Sequence, residues 1–226
     1  MQEGATNSTR TLLACGIGAG AIYVALGVLQ ILIRPGFDVT RHPLSILANG
    51  HLGWIQSVNF VLSGLLTMAG AVGLRRALAG KPAGAWGPRL LGVYGLGVLT
   101  AGFFRADPMN GFPIGTPEGP PIHPTLHSTL HIVSGSVGFL ALIVSCFVFA
   151  RGFTRLGQSG WAIFSAITGA VFFAAYASIA SGSQATGVVQ SVVTLLFYAA
   201  VVLAWIWISM LAARTRGALG RTAALG

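Results

Sequence analysis

Charge is what this chain has least of. Only 8% of its 226 residues are charged, and four of them are acidic. A soluble domain carries about a quarter charged residues, so the composition excludes a water-soluble domain with a large core. Cysteine is scarce too. Cys15 and Cys146 each sit inside an apolar run, which excludes a disulfide framework. Acidic partners for the 13 basic residues are few, leaving a net charge of +9. Those basic residues stand singly or in pairs at the ends of apolar runs, with no basic stripe, so no nucleic-acid partner is expected. Strand-like alternation is absent, which argues against a barrel. The "LLAC" at 12–15 resembles a lipoprotein cleavage box, but its apolar stretch follows the cysteine instead of preceding it. It reads as a retained helix, not a signal peptide.

What the chain has instead is apolar length: 54% of it is hydrophobic. Spanning a bilayer takes about 20 apolar residues in a helix. Runs at 12–33, 54–74, 87–104, 127–150, 161–180 and 188–213 meet or approach that length. Backbone groups in lipid must be paired within the segment, so these are helices. The fold class expected is an all-α transmembrane bundle of six helices, one integral membrane domain over residues 1–226. The third run is the shortest; it starts near Trp86, with Arg89 reaching back to the surface.

The basic residues give an orientation. With the N-terminus in the cytoplasm, ten of them face inward: Arg10, Arg75, Arg76, Lys81, Arg89, Arg151, Arg155, Arg214, Arg216 and Arg221. Arg34, Arg41 and Arg105 face outward, so both termini are expected inside. The basic loops would also suit anionic membrane lipids. All five Trp lie near span ends, where interfacial aromatics sit.

Small residues recur every fourth position in the fifth run: Ala162, Ala166, Ala170, Ala174, Ser178 and Gly182. Gly16 and Gly20 repeat the spacing in the first. Such stripes let helix backbones approach closely. Packing within the chain is the expected use, with a homodimer as the alternative.

Polar chemistry gathers on the outer side, in segments 34–53 and 105–126. Three of the four acids and every His lie there or at its boundary. "HPLSILANG" has a start at Pro43 and a stop at Asn49-Gly50, so a short helix is expected at the interface or dipping into the bundle. The second segment holds six of the ten Pro, which points to a stiff, irregular lid.

His127 and His131 are one helical turn apart, and Asp107 ends the preceding span at the same membrane face. Two imidazoles and a carboxylate form a ligand set for zinc or iron. The alternative is that these groups tie helices together by hydrogen bonds. Gln56, Asn59 and Gln190 sit near outer span ends. They either bond between helices or line a cavity continuous with the His cluster. The expected ligand-binding residues are therefore Arg41, His42, Ser45, Asn59, Arg105, Asp107, His127, His131 and Gln190.

"RHPLSILANGHLGWIQSVNFVLSGLL", "FFRADPMNGFP" and "HSTLHIVSGSVGFLAL" together resemble the bacterial membrane family called domain of unknown function 998. The matching residues are His42, Pro43 and Ser45; Phe104, Asp107 and Pro108; and His127 and His131. The resemblance implies a six-helix bundle in a bacterial plasma membrane, and no particular reaction. The order Ser45, Asp107, His127, His131 is also similar to that of membrane hydrolases including alkaline ceramidases, although those have seven spans and carry the His pair on the last one.

Two functions follow. One is binding or sensing of a lipid or small polar ligand at the outer face. The alternative is a zinc-dependent hydrolase of lipid-like substrates, with Asp107, His127 and His131 on the metal. There His42 or His123 would move the proton and Ser45 would steady the oxyanion.

Overall fold

The computed structural model describes residues 2–181 and 187–223. Six α-helices are found among them: α1 Gln2–Ile33, α2 Gly53–Ala77, α3 Trp86–Phe103, α4 Leu126–Arg155, α5 Ser159–Ala180 and α6 Gly187–Ala223. A 3₁₀ turn covers Leu44–Ala48. No strand occurs among the described residues beyond an isolated bridge between Met109 and Phe112. The all-helical, six-helix expectation holds.

Five helices are long and apolar enough to cross a membrane, and α3 is the one left out. It has 18 residues, about 27 Å at 1.5 Å per residue, against a hydrocarbon core of about 30 Å. Pro88 lies in its first turn, where no intrahelical N–H is needed.

Each helix packs on the next, and α6 returns to pack on α1, closing a ring. Glycine permits the tightest crossings. A Cβ on Gly70 of α2 would stand 2.6 Å from the Gly16 Cα of α1. One on Gly64 would stand 2.6 Å from the Leu99 backbone N of α3. The Gly16/Gly20 pair serves packing within the chain, with Gly20 set against Trp205 of α6.

Two expectations need correction. The stripe on α5 does not form its buried face. Ala162, Ser165, Thr168, Gly169, Phe172 and Ala175 are buried, whereas Ala170, Ala174 and Ser178 are exposed; Gly182 lies outside the described residues. A strict four-residue repeat drifts around a helix of 3.6 residues per turn, so the stripe leaves the interface. Nor are all Trp interfacial. Trp54 and Trp86 are exposed at helix starts, but Trp205 and Trp207 are 1% and 0% exposed. α6 runs ten residues past the expected end at 213, to Ala223, which places both rings mid-helix. Trp207 donates its indole N–H to Ser165 Oγ at 3.0 Å.

The two ends of the bundle differ. At one, Arg76 reaches Ser8 and Arg214 reaches Gln158, bringing together the start of α1, the end of α2, the start of α5 and the end of α6. This is the basic end. The other is the loop end, carrying residues 34–52 and 104–125.

Candidate functional site

At the loop end the segment after α1 folds inward. The expected short helix is present as a 3₁₀ turn with Pro43 before it and Asn49 after it. Ile46, Leu47 and Ala48 are fully buried, so it dips into the bundle. Arg34 holds it there. Its guanidinium donates to the Leu47 carbonyl at 2.9 Å and to the Asn49 carbonyl. Its face lies 5.1 Å above the Phe112 ring. Gly50 has φ of 74°, and a Cβ there would meet Arg34 at 3.1 Å. Only glycine suits both the backbone angle and the space.

Asp38 organises the turn that precedes this element. Its Oδ1 accepts from the Thr40 hydroxyl at 2.7 Å and the Thr40 N–H at 2.8 Å. These two bonds hold the Asp38 carboxyl below its ordinary range, against an opposing effect of burial.

His42 is buried, and its hydrogen bonds fix its tautomer. Nδ1 accepts from the Asp38 N–H at 2.9 Å, so Nδ1 carries no hydrogen. Nε2 must carry it, and donates to the Asn110 carbonyl at 2.9 Å. Both nitrogens of the neutral ring are used, which leaves none for proton shuttling. His42 therefore joins the first loop-end segment to the second. Asn49 repeats the join by donating to the Ala106 carbonyl at 2.9 Å. Arg41 pairs with Glu118 across the same seam, in the open.

Asp107 has a different partner from the one expected. Its two carboxylate oxygens accept from the Thr125 N–H at 2.8 Å and the Thr125 hydroxyl at 2.7 Å. Thr125 is the N-cap of α4, and its hydroxyl accepts from the Ser128 N–H at 3.1 Å. The Asp107 N–H in turn donates to Ser128 Oγ. A carboxylate at a helix N-terminus is also favoured by the helix dipole.

The expected zinc ligands are not assembled. Among the described residues no group of three His, Cys, Asp or Glu is placed to hold a metal ion. His131 is buried, and its Nδ1 must donate to the Phe104 carbonyl, 2.8 Å away. His127 is exposed and packs its ring against Phe104. With both Asp107 oxygens engaged by Thr125, the donor set does not fit the ion. His123 and Arg105 are exposed.

Inside the ring, beneath the two loop-end segments, lies a cavity of about 320 Å³. Of the residues expected at a ligand site, Ser45, Asp107 and His131 line it. Gln56 and Asn59 do not. They bond between α1 and α2: Gln30 donates to Gln56 at 2.7 Å, and Asn59 donates to the Tyr23 carbonyl at 3.1 Å. Gln190 is half-buried and away from the cavity lining.

The sequence reading missed the tyrosines. The chain has four, Tyr23, Tyr94, Tyr176 and Tyr198, and all line this cavity. Tyr23 and Tyr94 are 9% and 2% exposed. Neither hydroxyl has a protein partner among the described residues. The signal was their depth: membrane tyrosines favour the interfaces, yet Tyr23 and Tyr94 fall mid-span. His131 adds an acceptor, since a ring donating through Nδ1 keeps a lone pair on Nε2. The remaining wall is mostly apolar, with Phe60, Phe139, Phe197 and Val201 in it, and Ser128 and Ser136 as its other polar residues. Ile132 of α4 lines the cavity and is 57% exposed.

Every residue of this cavity falls within residues 17–214, the stretch matched by the family model described as Protein of unknown function (DUF998). The chain belongs to the DUF998 family. Comparison with curated proteins and with solved structures yields no match. The DUF998 match also takes in both loop-end segments and Arg34, so these segments and the cavity lie together inside the family unit.

Proposed function

We propose that this DUF998 protein binds a neutral, mostly apolar amphiphile in the cavity below its loop end, and that the two loop-end segments form a fixed lid over it. The observation that carries this reading is the convergence of all four tyrosines, with Tyr23 and Tyr94 buried, on a cavity whose wall is otherwise mostly apolar. A tyrosine hydroxyl both donates and accepts, so the hydroxyls of Tyr23 and Tyr94, which make no hydrogen bond to the described protein groups, suit a ligand hydroxyl or carbonyl. His131 Nε2 offers an acceptor for a ligand hydroxyl.

Two features narrow the chemistry. Among the described residues no Lys or Arg lines the cavity, and the one carboxylate that does, Asp107, is engaged by Thr125. The ligand is therefore neutral. The volume of about 320 Å³ sits at the lower end of ligand pockets, about 300–1,000 Å³. That suits one apolar chain or a small ring system, not a whole two-chain phospholipid. The positive-inside rule puts the ten-cation end in the cytoplasm and the lid outside, as expected of a multi-pass protein of the bacterial plasma membrane.

Gly135 supplies the test. It lines the cavity, and a Cβ there meets nothing within 4 Å. Gly135→Phe would fill cavity space without a backbone clash, and removing a mid-helix glycine favours the helix by up to about 1 kcal/mol. The variant should fold as well as wild type. Thermal stabilisation of the purified protein by long-chain alcohols should fall at least tenfold in potency. Equal stabilisation of both proteins would overturn the reading.

A further inference from the structure

A second cavity, of about 350 Å³, lies at the basic end, between the α2–α3 connection, the end of α4, the start of α5 and the end of α6. Its chemistry is opposite to that of the first. Lys81, Arg214 and Arg221 converge on it from two separate elements, and among the described residues no carboxylate lines it. Phe153, Leu156 and Leu219 share the wall. We propose that this cavity holds the phosphate headgroup of an anionic phospholipid, with the acyl chains leaving along the apolar surface of the bundle.

Four observations converge. Arg214 is held in place: it donates to Gln158 Oε1 at 2.7 Å, and its face lies 4.8 Å from Trp161 and 5.5 Å from Phe153. A guanidinium has five N–H donors, so a fixed Arg214 keeps others for an oxyanion. The N-terminus of α5 adds partial positive charge at the same place. Gln158 is its N-cap and makes no capping bond, having turned its side chain to Arg214. The first N–H groups of α5 lack intrahelical acceptors. Lys81 and Arg221 are exposed at the mouth. Finally, Leu156 keeps 46% of its surface exposed beside the cations. A wall both apolar and cationic at a span end matches a lipid headgroup region, where a basic pocket between helices selects anionic lipids. A soluble phosphate would need only the cations.

The test uses the full chain in neutral detergent, titrated with dioleoylphosphatidylglycerol, dioleoylphosphatidylcholine or inorganic phosphate. The readouts are the melting midpoint and lipid adducts by native mass spectrometry. The anionic lipid should raise the midpoint and remain bound; the zwitterionic lipid and phosphate should do neither at equal concentration. The double variant Lys81→Gln, Arg221→Gln should need at least fivefold more anionic lipid. Both side chains are exposed, so its lipid-free midpoint should match wild type. If the double variant folds poorly, Lys81→Gln alone should still need at least twofold more. A phosphatidylcholine effect equal to that of phosphatidylglycerol, an unchanged titration in the variants, or phosphate acting as well as the lipid would each overturn the proposal.

Discussion

Tyr198 of α6 donates its hydroxyl hydrogen to the backbone carbonyl of His42 at 2.7 Å, across 156 positions of sequence. One bond thus ties the wall of the cavity to its lid. Tyr198→Phe keeps the ring and removes the bond. A net loss of about 1 kcal/mol is expected, seen as a lower melting midpoint and faster amide exchange at residues 42–49. Unchanged exchange there would show that the lid does not depend on α6.

Arg34 spans two carbonyls and an aromatic face. Lysine cannot reproduce that fork. Arg34→Lys should cost about 1.5–3 kcal/mol, the range for hydrogen bonds to charged groups. Arg34→Met should cost more, because the Leu47 and Asn49 carbonyls would be left without this donor. Denaturation of the three proteins in one detergent gives the order wild type, Lys, Met.

Asp107 and Thr125 act as one unit at the start of α4. Thr125→Ala should cost about 1 kcal/mol, as losing an N-cap does. Asp107→Ala should cost a similar amount. The double variant should lose less than the sum, because each change removes the same bonds. A strictly additive pair would contradict the shared network.

The Asp38 carboxyl is held below its ordinary range by Thr40. A group whose folded pKa is depressed stabilises the fold above its unfolded pKa, about 3.9. That contribution disappears as pH falls through the lower folded value. Wild type should therefore melt higher than Asp38→Ala at neutral pH. The gap should narrow only below about pH 4. A gap that is constant down to pH 2 would exclude the carboxylate as its source.

Gly64 and Gly92 make a matched pair for the packing. A Cβ at Gly64 would stand 2.6 Å from the Leu99 backbone N, whereas one at Gly92 meets only the Ala71 Cβ at 3.9 Å. Gly64→Ala should destabilise by about 1–3 kcal/mol through overpacking, and Gly92→Ala should be neutral or stabilising. Melting midpoints of the two variants decide it.

The bundle was legible because apolar length and basic ends report the membrane directly. The start and stop at Pro43 and Asn49 were legible because turn chemistry is local. What the sequence hid was direction. His127 and His131 share a helix face by spacing, but the first packs outside on Phe104 and the second turns inward to the Phe104 carbonyl. Asp107 looked like a ligand by composition, yet both of its carboxylate oxygens accept from Thr125. The α5 stripe failed because period four is not 3.6. The tyrosines were overlooked because their convergence from α1, α3, α5 and α6 exists only once the ring closes.

The account rests on the cavity receiving a neutral amphiphile. Photolabelling with a diazirine-bearing hexadecanol, followed by peptide mapping, tests this most directly. The label should fall on residues of the cavity wall such as Tyr94, Phe139 and Phe197, Gly135→Phe should abolish it there, and the matching fatty acid should label them far less. Label confined to the outer, lipid-facing surface, or the acid labelling the wall as strongly as the alcohol, would contradict it.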